Sequence, residues 1–204
     1  DLVNLSDKKI SQITTNLFKK YSKKIITNLP LTEYTDSLKT KFKINKKEIK
    51  NINFKYYTSG KNFYKNIAID LLPHSLSFLL FFFTIKKNNI DIKSKVVTKN
   101  SWKTSFTFNK INCTFDFDEN INRKKSILKI SINNKNYLRV QKKNTSRLIR
   151  NHEYIKCGTL YKKINNPMST SIRKNLFKLT ENKISKRYID FQKSLVSLMS
   201  FFIK

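Results

Sequence analysis

Two histidines, His74 and His152, and two cysteines, Cys113 and Cys157, are the most reactive side chains in this 204-residue sequence. Cys157 and His152 stand near enough in sequence to pair for nucleophilic catalysis or metal binding, with Glu153 the carboxylate beside them. Packed or surface positions are the commoner state for such residues, and no third group in the sequence completes a nucleophile, a base and an orienting partner. Neither cysteine sits in a C-x-x-C arrangement, so a disulfide framework or a zinc knuckle is not expected. Asp116, Asp118 and Glu119 resemble a metal loop in their spacing, but with no histidine alongside they read as a solvated turn. With 2 glycines in the chain, no glycine-rich loop can cradle phosphates. The expectation is therefore a non-enzyme with no catalytic residues, no metal and no cofactor.

Charge points elsewhere. Lys and Arg number 43 against 13 Asp and Glu, giving a formal net charge of +30 and a pI near 10.2. An A/T-rich gene would raise lysine, asparagine, isoleucine, phenylalanine and tyrosine together, but it would not suppress glutamate to match. A polyanionic partner is expected, nucleic acid ahead of an anionic membrane surface. Lysines that neutralise phosphates need no built pocket, and Tyr56, Tyr57, Tyr64, Tyr137, Tyr154 and Tyr161 are interleaved with them. No helix-turn-helix or zinc signature is present.

The elements that must carry these residues follow from periodicity. Ile10, Ile13, Leu17, Tyr21 and Ile25 recur at helical spacing over residues 6–28, with lysines on the other side. No cleavable signal is visible before them. Pro30 resets the chain, and Thr32 is a plausible N-cap for a short helix carrying Tyr34, Leu38 and Phe42. Phe42–Ile44 and Ile49–Phe54 read as a hairpin around Asn45–Lys47. Phe54 and Tyr56, then Phe63, Ile67, Ile69 and Leu71, recur at period two, so a second hairpin closed by Gly60 and stopped by Pro73 is predicted. The apolar run Leu76–Ile85 is too short to span roughly 20 residues of bilayer and fits a buried strand or a buried helix. Strands are predicted at Ile90–Val97, Ser105–Phe108, Cys113–Phe117 and Ile127–Ile130, and a helical tail over residues 169–203 whose apolar end wants a protein groove or its own core.

Several of these stretches resemble one family. Leu29-Pro30-x-Thr32 with Tyr34, Leu38 and Phe42, then Tyr57-x-x-Gly60-Lys61, Ile67, Pro73 and Phe78, are similar in order to small-subunit ribosomal protein eight of the bacterial and organellar type. Ser131, Asn133 and Lys135 stand where that family carries a serine-rich rRNA-contacting loop, and Asn144–Ile149 resembles its closing strand. Ile132 and Asn136, and both missing glycines near the closing strand, depart from the pattern. The resemblance implies a structural protein of a mitochondrial, or plastid-type, small ribosomal subunit. It further implies Lys24, Thr32, Lys61, Ser131, Asn133, Lys135, Arg139, Arg147 and Arg150 as rRNA-binding residues. Small-subunit rRNA and neighbouring ribosomal proteins would be the partners, with the C-terminal helix as a protein dock and no stable membrane insertion.

The expected fold is α+β: an N-terminal helix-strand-helix-hairpin unit, a mainly antiparallel β domain and a helical C-terminal extension. The expected domains are 1–72, 73–150 with an insertion at 86–123, and 151–204. Another organellar ribosomal or RNP protein, an inner-membrane complex subunit and a nucleic-acid enzyme are the alternatives carried forward.

Overall fold

The computed structural model describes residues 30–142, 152–180 and 185–203. Helix α1, Pro30–Phe42, starts with proline in its first turn, where the missing N–H costs nothing, and places Glu33 in its first turn and Lys39 and Lys41 in its last. Strand β1, Asn51–Thr58, leads through residues 59–64 into helix α2, Lys65–Phe82. Three strands follow, β2 (Ile90–Val97), β3 (Ser101–Phe108) and β4 (Ile111–Glu119), then β5 (Ile127–Ile132) and β6 (Lys135–Lys142). The described chain ends with β7 (His152–Cys157), β8 (Leu160–Ile164) and helices α3 (Pro167–Thr180) and α4 (Lys186–Ile203).

All eight strands form one mixed sheet in the order β2-β3-β4-β1-β5-β6-β7-β8. β1 and β4 run parallel with Phe54 opposite Phe115, and every other pairing is antiparallel. Two-residue turns with both backbones left-handed, as at Asn109 (φ 47) and Lys110 (φ 65), match the twist of the strands they join. The fold is α+β.

The described helices cover one sheet face and leave the other open. β4 alternates buried Ile111, Cys113, Phe115, Phe117 and Glu119 with less buried Asn112, Thr114, Asp116 and Asp118, because successive side chains point to opposite faces. Helices α2 and α4 pack together, and α1 packs on α2 and α3. Phe54 and Phe78 meet at 5.9 Å between centroids, Phe106 and Phe202 at 4.8 Å, and Trp102 stacks on Phe117 at 5.4 Å. Fully burying one such ring contributes about 1.5–3 kcal/mol.

Three local expectations are corrected. Phe42–Phe54 is no hairpin: α1 ends at Phe42, Lys43 turns left-handed at φ 51, and Lys46–Glu48 is a 3₁₀ turn capped by Asn45. Residues 65–82 are a helix and not a strand ended by Pro73, which lies inside α2. The buried residues Ile67, Leu71, Ser75, Phe78 and Phe82, with Ala68, Leu72, Leu76 and Leu79, follow the helical period. In a run this apolar, matches to period two arise without selection, so the alternation of Ile67, Ile69 and Leu71 misled. The apolar end of α4 is no partner dock: Leu195, Leu198 and Phe202 lie in the protein's own core. No described helix is long and apolar enough to cross a membrane. The basic helix expected at 6–28 and the strand at 144–149 lie outside the described residues.

Candidate functional site at the carboxyl end of the parallel pair

In sheets with parallel strands, ligands meet the carboxyl ends, where a strand turns into a helix. Here that place is the end of β1 and β4, and titratable side chains gather there on both faces of the sheet.

On the open face, Lys55 and Asp116 occupy paired positions, as do Tyr57 and Asp118. The Tyr57 hydroxyl donates to Asp116 Oδ2 at 3.1 Å, and Lys55 Nζ lies 3.4 Å from the same oxygen. Lys55 Nζ and the Arg123 guanidinium each lie 5.0 Å from the Tyr57 ring centre, and Arg123 also pairs with Asp118. The Tyr57 hydrogen bond, more than Asp116, raises the Lys55 pKa against the opposing effect of burial. These side chains remain 17–35% exposed. The arrangement offers a phenol, a carboxylate and two cations to a hydroxylated, anionic ligand.

On the covered face, Glu119 is 1% exposed. Its Oε2 accepts from the Asn62 backbone N–H at 2.9 Å, and both carboxylate oxygens accept from Asn62 Nδ2 at 3.2 Å. Burial, and a hydrogen bond to the Asp70 carboxyl, push Glu119 above the usual carboxylate range against the pull of the Asn62 donors. A Cβ on Gly60 would lie 1.8 Å from Glu119 Oε2. Gly60 is thus required for close approach and not for a hairpin, while the left-handed backbone falls at Tyr64, φ 54 and ψ −131. That conformation costs a non-glycine residue on the order of 1–3 kcal/mol. The Tyr64 N–H donates to the Lys99 carbonyl at 3.0 Å and the Glu119 N–H to the Asn100 carbonyl at 2.9 Å, so the β2–β3 turn braces the same loop.

Deeper on that face, His74 packs edge-on against Tyr56 at 5.6 Å. Burial pushes His74 down to about 4, and its Nδ1 has no hydrogen-bond partner among the described residues. Arg139 Nε and Nη2 bond Glu153 at 3.0 and 2.8 Å, and Gln141 Nε2 adds a third bond at 2.7 Å. Burial raises the Tyr34 hydroxyl, which has no partner among the described residues.

The residues predicted to bind RNA are not brought together. Thr32 lies in the first turn of α1 and Lys61 follows β1. Ser131, Asn133 and Lys135 sit around the β5–β6 turn, beside the start of β1. β1 has 8 residues, so Lys61 and that turn are separated by roughly 25 Å of strand. Asn133 is a staple: its Oδ1 accepts from Lys50 and Asn51 N–H at 2.9 and 3.1 Å, and its Nδ2 donates to the Glu48 carbonyl at 2.9 Å. Ser131 Oγ donates to Asn136 Oδ1 at 2.7 Å. Arg139 is committed to Glu153 on the covered face, and Lys24, Arg147 and Arg150 lie outside the described residues. Sequence reasoning noticed Asp116, Asp118 and Glu119 but took them for one solvated turn. The alternation Phe115-Asp116-Phe117-Asp118-Glu119 held the better signal, since it sends two carboxylates to the open face and the third in with the phenylalanines.

No protein-family profile matches the sequence, and no curated protein does. Solved structures do share the fold. A Gfo/Idh/MocA family oxidoreductase from Vibrio cholerae matches at TM-score 0.59 and 10% identity, over 97% of this chain and 66% of its own. The 3-ketoreductase KijD10 from Actinomadura kijaniata, solved with TDP-benzene and NADP, matches at 0.55 and 9%, over 84% and 58%. The WlbA dehydrogenase from Thermus thermophilus, solved with NAD and UDP-GlcNAcA, matches at 0.60 and 11%, over 98% and 61%. The chain thus spans 58–66% of the length of these relatives, and at such identities the likeness is one of fold. It overturns the ribosomal resemblance, and with it the non-enzymatic role in a small ribosomal subunit and the rRNA and ribosomal-protein partners: short motifs of lysine, aromatic and aliphatic residues recur easily in a chain of this composition, and the fold they were read into is not the one adopted. What this chain shares with those proteins is the fold.

Proposed function

We propose that this chain is the ligand-holding sheet module of an oxidoreductase-type protein, and that the open-face cluster of Lys55, Tyr57, Asp116 and Arg123 receives a hydroxylated, anionic ligand of the nucleotide-sugar class. One observation carries the reading: a half-buried phenol held between a carboxylate and two cations, at the carboxyl end of the parallel pair, on the sheet face that none of the described helices covers. The UDP-GlcNAcA bound by one protein of similar fold and the TDP-benzene bound by another, together with this chain's positive charge, support the ligand class. Tyr57 would exchange hydrogen bonds with a sugar hydroxyl while Lys55 and Arg123 meet phosphate oxygens.

A dinucleotide, such as those bound by two of the proteins of similar fold, does not fit the junction between β1 and α2 here. A pyrophosphate needs free backbone N–H groups where a strand turns into a helix. After β1 that approach is taken by the Glu119 carboxylate, which holds the Asn62 N–H and lies against Gly60. A phosphate there would face a carboxyl group, so no step is assigned to a dinucleotide on this chain.

Calorimetric titration with UDP-N-acetylglucosamine and a TDP-sugar tests the reading. Saturable binding, weakened by Arg123→Ala and Lys55→Ala, is expected. Binding no better than that of inorganic diphosphate would overturn it.

A further inference from the structure

The loop between β1 and α2 carries a second feature that the open-face cluster does not use. Phe63 is 47% exposed and Tyr64 is 57% exposed, adjacent large rings outside the core. Lys99 Nζ lies 5.5 Å from the Phe63 ring centre, and exposed Lys61 and Lys65 flank the pair. The loop is fixed on two sides: Asn62 is held by Glu119, and the Tyr64 N–H by the Lys99 carbonyl. Tyr64 keeps a backbone conformation suited to glycine, although its side chain stays largely exposed. A chain selected for stability alone would place glycine there and would not leave two rings in water.

We propose that Phe63 and Tyr64 form a stacking platform for the base of a mononucleotide, with Lys61, Lys65 and Lys99 meeting its phosphate. Flat rings suit the face of any base, and lysines supply the charge that a phosphate requires. The inference deepens the nucleotide-sugar reading and takes its ligand class from it. Residues 58–62 join the platform to Tyr57, so base and sugar would be received at two places along one connected rim.

Titrating the chain with UMP and with ribose 5-phosphate isolates the base. UMP is expected to bind on the order of 10-fold tighter, and Phe63→Ala or Tyr64→Gly to erase that advantage while leaving ribose 5-phosphate binding unchanged. Tyr64→Gly should do so without lowering the melting temperature, an outcome that a merely structural tyrosine would not give. Equal affinities for UMP and ribose 5-phosphate, no binding of either, or a UMP preference that survives both substitutions would overturn the platform. A short oligouridine binding far tighter than its number of bases accounts for would also overturn it, in favour of a nucleic acid strand. Tyr57→Phe separates the two readings: it should weaken UDP-N-acetylglucosamine and leave UMP unchanged. If Tyr57→Phe changes neither while Phe63→Ala abolishes the UMP preference, the open-face reading fails and the platform stands.

Discussion

The two faces of the sheet at the end of β1 and β4 carry similar side chains under different rules. On the covered face, burial has disposed of charge: His74 is neutral, Glu119 is pushed toward its protonated form, and Arg139 is spent on Glu153. On the open face, Lys55, Asp116, Asp118 and Arg123 stay partly exposed, in ion pairs that water can reach. Buried ionisable groups are costly to unbalance and hold the fold, whereas half-exposed ones contribute little to stability and are free to meet a ligand. Titratable residues alone therefore do not mark the site; the face they occupy does.

The largest effect should come from breaking the buried pair. Arg139→Met leaves Glu153, 1% exposed, with Gln141 as its remaining bonded side chain among the described residues. A loss of about 3–5 kcal/mol is expected, which calorimetry would read as a fall in melting temperature on the order of 10 °C. The matching open-face change, Arg123→Ala, should cost under about 1 kcal/mol. Equal losses would erase the distinction between the faces.

Next is pH. His74 has its ordinary value of 6.5 lowered to about 4 by burial. Below the ordinary value the unfolded chain takes up a proton that the folded chain refuses, so stability present above pH 6.5 is lost as pH falls toward 4, by roughly 3 kcal/mol at most. His74→Phe, which keeps an edge-on ring against Tyr56, should flatten the denaturation midpoint over that window. Glu119 works in the opposite direction: a raised carboxyl group costs stability as pH climbs above the usual carboxylate range. An unchanged pH slope in His74→Phe would mean that the histidine titrates normally.

Gly60→Ala is smaller. The new methyl group must displace the Glu119 carboxylate from Asn62, at about 1–2 kcal/mol. Glu119→Gln, which keeps an acceptor for the Asn62 donors, should be milder. If Gly60→Ala is neutral, the loop is not held as described.

Much of the sheet was legible in the sequence, because β3 and β4 alternate aromatic and polar residues so regularly that face and period follow together. α2 was not legible: its mixture of Ile, Leu and Phe satisfies both periods, and Pro73, a strand stop by sequence rules, sits inside the helix. The open-face cluster was half legible. Asp116 and Asp118 stood out, but their partners Lys55, Tyr57 and Arg123 come from β1 and from beyond β4, and the parallel pairing of β1 with β4 is a long-range fact that periodicity does not carry. Charge count misled most, since +30 describes the whole chain and says nothing of which face or which anion.

The central claim is that the open face receives a nucleotide sugar through Tyr57. Titration of UDP-N-acetylglucosamine into the wild-type chain and into Tyr57→Phe tests it most directly. The account predicts saturable binding, weakened roughly 3- to 10-fold in Tyr57→Phe with the melting temperature unmoved. Identical isotherms for the two chains, or no saturable binding by either, would contradict it.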